Sequence, residues 1–459
     1  MNQKSSYQSE KWITLFIAAV SSFLTPFMSS SMNVALRLLG TDMSMSAVLL
    51  GWVNTSYSLG AAVFLVPIGK VADIVGRKKI FLWGLAIYTL GSLFCAIVPN
   101  ASLFIFFRVI QGVGSAFIYA TSIAILTSVF SASERGRVLG ITTAATYLGL
   151  SLGPVLGGFL TAFSGWRSIF WINVPLGLLI LWLTLWKLKG EWAEAAGEGL
   201  DWTGSVIYGV SLAIAILGLP RIPSFLGIGM TIIGFLGMVG FIRWESRLES
   251  PILNVGLFKN NRVFTFSNLA ALINYSATAA VGFLLSLYLQ HIKALSPQQA
   301  GLILVAQPAV MALISPLSGR LSDKIPKRSL ASAGMALTTL ALIPLVFLNS
   351  ITAIWTIILY LLILGLGFGL FSSPNVNAIM SSVEKKSYGV ASATLATMRL
   401  IGQTSSMVIV TLIFALYMGQ VAITPENYLL FLASLKPAFA IFSGLCFIGI
   451  FASLARGNH

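Results

Sequence analysis

The chain has 459 residues, of which 57% are apolar and only 9% are charged, and its formal net charge is +15. An ordinary soluble domain carries about 25% charged residues, so this composition excludes a water-soluble protein and indicates one embedded in a lipid bilayer. The basic residues are spread over many short loops, which favours a topological role and argues against a nucleic acid partner. Both cysteines lie inside apolar runs, so we expect no disulfide framework, no metal site and no cofactor.

Fourteen apolar runs follow one another along the chain, and each is long enough to cross a bilayer, which takes about 20 residues. The first run is too long for a signal peptide and lacks a cleavage site. The sequence therefore predicts an all-helical, multi-pass membrane protein with both termini on one side. The predicted limits are 12–36, 47–68, 80–98, 101–130, 138–160, 168–186, 202–220, 224–243, 263–289, 298–319, 329–349, 352–380, 389–418 and 437–455.

The distribution of Lys and Arg predicts the orientation. With the N-terminus in the cytoplasm, 21 of the 28 basic residues fall in inner loops and tails and five in outer loops, Arg37 and Lys436 among them. Such an excess is typical of cytoplasmic loops. We therefore expect both termini in the cytoplasm and a location in the cytoplasmic (inner) membrane.

A charged loop occurs twice, as G-K-V-A-D-I-V-G-R-K-K at 69–79 and as G-R-L-S-D-K-I-P-K-R at 319–328. The repetition predicts two six-helix bundles, at 1–190 and 263–459, with two inserted helices and their flanking loops at 191–262. Glycine allows a tight turn, and the single acid can pair with a neighbouring base or cap a helix. Such a loop can latch the two halves together, although a purely topological basic loop is the alternative. The residues of this gating motif are Gly69, Asp73, Gly76, Arg77, Lys78, Gly319 and Asp323.

Two arginines lie within the apolar runs. Arg108 stands about two turns into the fourth run, in the string R-V-I-Q-G-V-G, and Arg399 lies in the thirteenth. A buried arginine costs on the order of 2.5–3.5 kcal/mol even on lenient insertion scales, so each must face a wet cavity or a partner. An arginine bonded to helix carbonyls, with a structural role only, is the alternative.

Small residues form a stripe on the fifth run. Gly149, Gly153 and Gly157 recur at a spacing of four, with Pro154 and Gly158 beside them. This spacing places the glycines on one helix face, where another helix can approach closely, and the proline bends the axis.

These motifs resemble those of the major facilitator superfamily. The strings L-D-W-T-G at 200–204, L-S-P-Q-Q-A-G at 295–301 and M-R-L-I-G at 398–402 resemble, in addition, its fourteen-span drug/proton antiporter family of the multidrug efflux type. The resemblance covers residues 12 to 420. It implies the major facilitator fold with two parallel bundles and alternating access, a role for Arg108 in proton or substrate handling, and export, which the glycine string of the fifth run favours.

The chain departs from this family in its first run, where the usual aspartate is replaced by Met28, and all thirteen acids fall in loops, tails or span ends. A buried carboxylate is the usual means of holding a proton or attracting a lipophilic cation. With Arg108 and Arg399 setting the field instead, we expect neutral or anionic amphipathic substrates. Candidates for the substrate cavity are polar or aromatic residues within the runs, each of which can equally be a helix–helix hydrogen bond. They are Asn33, Asn54, Gln111, Tyr119, Tyr147, Asn274, Tyr275, Gln307, Asn375, Asn377 and Gln403.

The predicted function is that of a secondary active transporter, a monomer, which exports small amphipathic molecules. The alternative within transport is a facilitative or exchange carrier for organic anions or lipids, without proton coupling through a buried carboxylate. A membrane enzyme would need clustered catalytic side chains, which the two distant histidines and dispersed acids do not offer. A receptor would bind a ligand without flux. The phosphate-binding string G-x-x-x-x-G-K-[ST] does not occur, so nothing supports pumping driven by ATP.

Overall fold

The structure is a computed structural model that describes residues 2–248, 251–253, 255–322, 324–384 and 388–457. This part of the chain is helical and contains no strand. Its helices are α1 (Asn2–Asp42), α2 (Ala47–Val75), α3 (Arg77–Ile97), α4 (Ala101–Val129), α5 (Ala132–Ser164), α6 (Arg167–Lys187), α7 (Trp202–Gly218), α8 (Phe225–Glu245), α9 (Val255–Asn260), α10 (Arg262–Thr278), α11 (Val281–Leu287), α12 (Pro297–Leu304), α13 (Ala306–Leu321), α14 (Lys327–Leu345), α15 (Ile354–Ser381), α16 (Tyr388–Tyr417) and α17 (Tyr428–Leu454).

Within the described residues these helices form fourteen segments that are long and apolar enough to cross a membrane, which confirms the predicted number. The ninth segment joins α10, α11 and a π-helical turn at Tyr288–Ile292, and the tenth joins α12 and α13. The short α9 lies outside all of them.

Three predicted ends were wrong. The second helix continues to Val75 and the third begins at Arg77, so Gly69 and Asp73 of the predicted charged loop lie within α2 and only Gly76 separates the two helices. The first helix continues to Asp42, so Arg37 lies within α1 and not in an outer loop. The last helix begins at Tyr428 and holds both Lys436 and Pro437. A proline is tolerated inside a membrane helix because neighbouring groups satisfy the backbone that it frees, so Pro437 does not mark a boundary.

The helices on either side of α7 and α8 pack in the same pattern. In the N-terminal unit (α1–α6), α1 packs on α5, α3 and α2 both pack on α4, and α3 packs on α6. In the C-terminal unit (α10–α17), the corresponding neighbours are α10 with α16, α14 and α13 with α15, and α14 with α17. Parallel repeats related by an axis along the membrane normal produce such a recurrence. The middle pair, α7 and α8, packs mainly on itself, and the division at residues 190 and 262 stays a prediction.

The glycine stripe of α5 packs on α1. A Cβ atom on Gly149 would stand 2.5 Å from the carbonyl oxygen of Phe23, and one on Gly157 would stand 2.6 Å from the Cβ atom of Ser31. Ser31 also donates a hydrogen bond of 2.9 Å to the carbonyl oxygen of Gly153. Any side chain on this stripe would force the two helices apart, so glycine is required there.

We call the face that holds both chain ends the terminal face. There α1 begins beside α5, where Lys11 forms an ion pair of 2.8 Å with Glu134. The end of α17 lies beside the start of α10, where Arg262 donates a hydrogen bond of 2.8 Å to the carbonyl oxygen of Ala455. The opposite face, at which α1 ends with Asp42, is the far face.

Candidate functional site

Polar contacts join the two units near the far face. Arg37 of α1 donates from Nη1 to the carbonyl oxygen of Gln290 at 2.5 Å, and Gln290 donates from Nε2 to the carbonyl oxygen of Val34 at 3.0 Å. Ser286 of α11 donates to the carbonyl oxygen of Asn33 at 2.5 Å. The loops continue this closure, since the amide of Ala47 donates to the carbonyl oxygen of Val421 at 3.0 Å. These bonds close the far face.

Most of the remaining packing between the units is that of α2 on α16 and of α5 on α12 and α13. The hydroxyls of Thr55 and Thr411 lie 3.4 Å apart, and deeper in the molecule the hydroxyl of Tyr147 lies 3.3 Å from that of Ser372. Between the Tyr147–Ser372 contact and the terminal face, no hydrogen bond or ion pair joins the described residues of one unit to those of the other. The polar contacts therefore hold the units together at the far face and at mid-membrane.

Both units contribute to a group of aromatic residues around Arg399. The Arg399 guanidinium lies over the Tyr275 ring, 5.5 Å from its centroid, and the Tyr275 ring meets that of Phe368 edge-on at 5.4 Å. From the N-terminal unit, Tyr119 lies within electrostatic range of Arg399, and Tyr147 within range of Tyr275. We call this group the central cluster; it comprises Tyr119, Tyr147, Tyr275, Phe368, Ser372 and Arg399.

The central cluster has a definite chemical character. Arg399 is half-buried, its Nε atom has no hydrogen-bond partner, and no carboxylate of the described residues pairs with it. Its positive charge makes a cation–π contact with the face of the Tyr275 ring, which partly offsets the free-energy cost of removing the charge from water. Tyrosine rings offer flat apolar surface together with hydroxyl groups that donate or accept hydrogen bonds. The cluster can therefore stack a planar apolar group and bind an anionic or polar group beside it, while it repels a cation.

Arg108 does not belong to this cluster. It is fully buried inside the N-terminal unit, where its Nε atom donates to the carbonyl oxygen of Val53 at 3.1 Å and its Nη1 atom donates to Gln111 Oε1 at 2.5 Å. Its Cζ atom lies 4.5 Å from the centroid of the Tyr57 ring, and Gln111 passes the network on to Ser92 at 2.7 Å. This geometry matches the structural alternative, an arginine bonded to a helix carbonyl. A role in proton or substrate handling stays a prediction.

Of the other predicted cavity residues, some form hydrogen bonds between helices, one lies beside the central cluster, and the rest lie inside the C-terminal unit. Asn54 donates to Asn33 Oδ1 at 2.8 Å, which joins α2 to α1 on the far side of the cluster, and Asn377 donates to Ser322 at 2.9 Å, which joins α15 to α13. Both are helix–helix hydrogen bonds of the kind that hold membrane bundles together. Gln403 is half-buried one turn beyond Arg399 on the same face of α16, which places it beside the cluster.

Asn274 and Asn375 are buried in the C-terminal unit, and the Oδ1 atom of each has no hydrogen-bond partner among the described residues. Gln307 is half-buried on α13, and its carbonyl oxygen packs so closely on Gly365 of α15 that a Cβ atom there would overlap it. The structure therefore brings Tyr119, Tyr147 and Tyr275 together with Arg399 and spreads the predicted amides over the molecule.

The first charged loop is held by its own unit. Arg77 forms ion pairs of 2.8 Å with Asp73 and of 2.8 Å with Glu194, and it donates a hydrogen bond of 2.6 Å to Ser128. Gly76 turns the chain between α2 and α3 at a φ of 124°, which only glycine adopts without strain. Asp73 thus pairs with a neighbouring base, which was one of its two predicted roles; the other was to cap a helix.

The linker between α6 and α7 completes this arrangement. The amide of Lys78 donates to Glu191 Oε1 at 2.9 Å, and Lys70 forms an ion pair of 2.6 Å with Glu198. Gly69 has no atom within contact distance of its Cβ position. In the second copy of the loop, Gly319 lies beside Ser373 of its own unit, and Asp323 lies outside the described residues. The role of these loops as a latch between the halves stays a prediction.

Sequence reasoning missed three residues. Phe368 and Ser372 of the central cluster lie on α15, the counterpart of α4 in the repeat, so comparison of α15 with α4, which carries Tyr119, would have pointed to them. Glu245 is 2% exposed at the end of α8, although its position predicted an inner loop.

The chain matches a family model described as Major Facilitator Superfamily over residues 18–407 and 267–457. The riboflavin transporter RibZ of Clostridioides difficile (strain 630) is 30% identical over 448 residues, which cover 96% of each chain. The multidrug resistance protein Stp of Mycobacterium tuberculosis is 31% identical over 415 residues, 89% of this chain and 76% of that protein. Among solved structures, a bacterial homologue of the human lysosomal transporter Spinster, inward-facing and unoccupied, superposes with a TM-score of 0.67 at 17% identity, over 99% of this chain and 98% of that one.

Proposed function

Because the chain belongs to the major facilitator superfamily, and within it to the drug-efflux family, we propose that it exports small amphipathic molecules across the cytoplasmic membrane by secondary active transport. The same relatives make it a transporter and not an enzyme. The central cluster is the proposed substrate site, since it draws residues from both units at mid-membrane. Rocking of the units about this site would expose it to each side in turn.

The terminal face is the proposed cytoplasmic side. The excess of basic residues in the loops of this face supports that orientation. Under it, the closed far face is the outer face, and the conformation is one in which the central cluster is closed to the outside.

Neutral or anionic molecules are the proposed substrates. The observation that carries this proposal is the Arg399 guanidinium, which lies 5.5 Å from the Tyr275 ring and has no carboxylate partner in the described part of the chain. An unpaired charge at low dielectric attracts an opposite charge and repels a like one. Permanently cationic dyes should therefore be poor substrates, and proton coupling should use groups outside the central cluster.

The test is flux through purified protein in liposomes with and without a protonophore. Riboflavin is the first neutral probe, because RibZ is similar over 96% of both chains and because a planar aromatic ring can stack on tyrosine. We expect transport that follows an imposed proton gradient and stops when the protonophore is added. Tyr275→Leu should abolish it and Lys79→Ala, an exposed change, should not. Absence of flux for neutral and anionic probes alike would overturn the proposal.

A second candidate is a facilitative or exchange carrier for organic anions or lipids, which Arg399 also favours. This carrier would differ from a proton-coupled exporter in its response to the protonophore. Flux would then persist with the protonophore and would depend only on the substrate gradient or on a counter-substrate in the lumen.

A further inference from the structure

Two carboxyl groups meet at the terminal end of the middle helix pair. Asp201 precedes α7 as its N-cap, and Glu245 ends α8. Asp201 Oδ2 and Glu245 Oε1 both lie against the point where a Cβ atom on Gly204 would stand, so the two oxygens are close neighbours, and the two side chains are within hydrogen-bonding reach of each other. Glu245 is only 2% exposed.

The hydrogen bonds around this pair leave one position open. Asp201 Oδ1 accepts from the amide of Gly204 at 2.9 Å, and Asp201 Oδ2 accepts from Trp244 Nε1 at 3.0 Å. Glu245 Oε2 accepts from the amide of Leu253 at 2.9 Å. Glu245 Oε1 is buried beside an acceptor oxygen and receives no hydrogen bond from any described residue. A hydrogen atom between the two carboxyl groups would satisfy both.

Ionisation of both groups at this distance is unfavourable. Like charges in contact at low dielectric repel strongly, and burial adds a further cost to the charged form. Asp201 is the charged group that faces Glu245; Arg243 and Arg247, near the end of α8, are exposed and form no ion pair with it in the described part of the chain. Within the described residues, therefore, no basic side chain pairs with Glu245 to stabilise a double negative charge.

We propose that Asp201 and Glu245 form a proton-binding site, in which one shared proton bonds the two carboxyl groups and keeps Glu245 in place as the acceptor for Leu253. Binding adds one proton to Glu245 Oε1, which then donates to Asp201 Oδ2. Loss of this proton creates two adjacent anions, so Glu245 moves away and the amide of Leu253 loses its partner. The site lies apart from the central cluster, and its test does not depend on transport.

The bond to Leu253 gives this proton a structural consequence. Ile252 and Leu253 pack on a hydrophobic cluster to which α2, α4, α7, α8 and α16 contribute, and they lead through α9 into α10, which carries Tyr275. On the other side, Asp201 ends the linker that Glu198 ties to the N-terminal unit. The shared proton therefore makes the position of Ile252 and Leu253, which lie between the two units, depend on the pH at the terminal face.

Two variants separate the protonated from the ionised state. Glu245→Gln keeps the shape of the side chain, can donate from its amide to Asp201 and can accept from Leu253, so it mimics the protonated form at every pH. Glu245→Ala removes the acceptor. Glu198→Gln is the matched control, because Glu198 is an exposed acid of the same region that pairs with a lysine.

The experiment combines infrared pH titration with hydrogen exchange of purified protein. We expect a protonated carboxyl band that disappears as the pH rises and that is missing in Glu245→Gln and present in Glu198→Gln. Over the same range, exchange protection of the amides of Ile252 and Leu253, corrected for intrinsic rates, should fall about tenfold in wild type, as expected for loss of one buried hydrogen bond. It should stay high in Glu245→Gln and low in Glu245→Ala. Protection that is independent of pH in wild type, or a carboxyl band that survives Glu245→Gln, would overturn the proposal.

Discussion

The close contact between α5 and α12, near the far face, can be tested by adding a single methyl group to one of its glycines. A Cβ atom on Gly158 would stand 2.7 Å from the carbonyl oxygen of Pro297, and real Cβ atoms essentially never come closer than 3.0 Å to such a neighbour. The contact is reciprocal, since a Cβ atom on Gly301 would overlap the carbonyl oxygen of Pro154. Gly158→Ala should therefore push the two helices apart.

Overpacking of this kind costs about 1–3 kcal/mol. Alanine also improves helix propensity by about 1 kcal/mol, but this gain applies equally to the conformations with the far face closed and open. We expect the contact to be lost when the far face opens, so the balance between the two conformations should shift toward the open one by about five- to 150-fold.

Spin labels on the far face measure this shift. Leu38→Cys on α1 and Leu429→Cys on α17 are both exposed, whereas the native Cys95 and Cys446 are buried and should not take a label. We expect Gly158→Ala to lengthen the distance between the labels in much of the population.

The matched control is Gly140→Ala, on the same helix, because no atom lies within 4 Å of the Cβ position of Gly140. This variant should keep the short distance of the parent protein. If Gly158→Ala gave the same distance distribution as Gly140→Ala, the reasoning about the far-face contact would be refuted.

Three further predictions follow from single contacts. Arg37→Met removes a bond across the far face and should lengthen the same label distance, by a smaller population shift of a few fold. Arg77→Ala breaks two ion pairs of a buried guanidinium and should lower stability to unfolding by about 1–3 kcal/mol, whereas the exposed Lys79→Ala should leave the melting temperature unchanged. Hydrogen bonds from Lys11 and from Ser131 lower the pKa of Glu134 to about 2, so the stability lost in Lys11→Met should be the same at neutral and mildly acidic pH and should vanish only as the pH falls from the usual carboxyl pKa toward that value; denaturation at several pH values measures it.

The number of spans could be predicted because the backbone in lipid must satisfy its own hydrogen bonds, which makes each crossing a long apolar helix that is visible in one dimension. The glycine stripe was equally legible, since a spacing of four defines a helix face without knowledge of its partner. That this partner is α1 could not be read from the sequence, because it depends on which helices lie next to each other.

Helix ends were less predictable where a charge or a proline lies inside a helix. Arg37 resembles a loop residue until its bond to Gln290 is known, and this contact spans residues far apart in the chain. Pro437 resembles a helix breaker, yet α17 runs through it.

The two arginines show that the depth of a residue along a membrane helix does not predict which neighbour its side chain faces. Arg108 and Arg399 both lie inside membrane spans, but Arg108 faces the backbone of α2 at Val53 and Arg399 faces Tyr275 of α10. The side that each one faces follows from helix packing. Glu245 is the converse case: it looked like a loop acid, and its burial follows from contacts with Asp201 and Leu253 that no local pattern reveals.

The charge preference of the central cluster is tested most directly by two dyes of the same shape, one bearing a quaternary ammonium group and the other a sulfonate, in liposomes that contain the wild-type protein or Arg399→Gln. We expect the wild-type protein to transport the anionic dye and not the cationic one, and Arg399→Gln to reduce transport of the anion about tenfold or more. Transport of the quaternary ammonium dye by the wild-type protein, with a proton gradient as the sole driving force, would contradict the account.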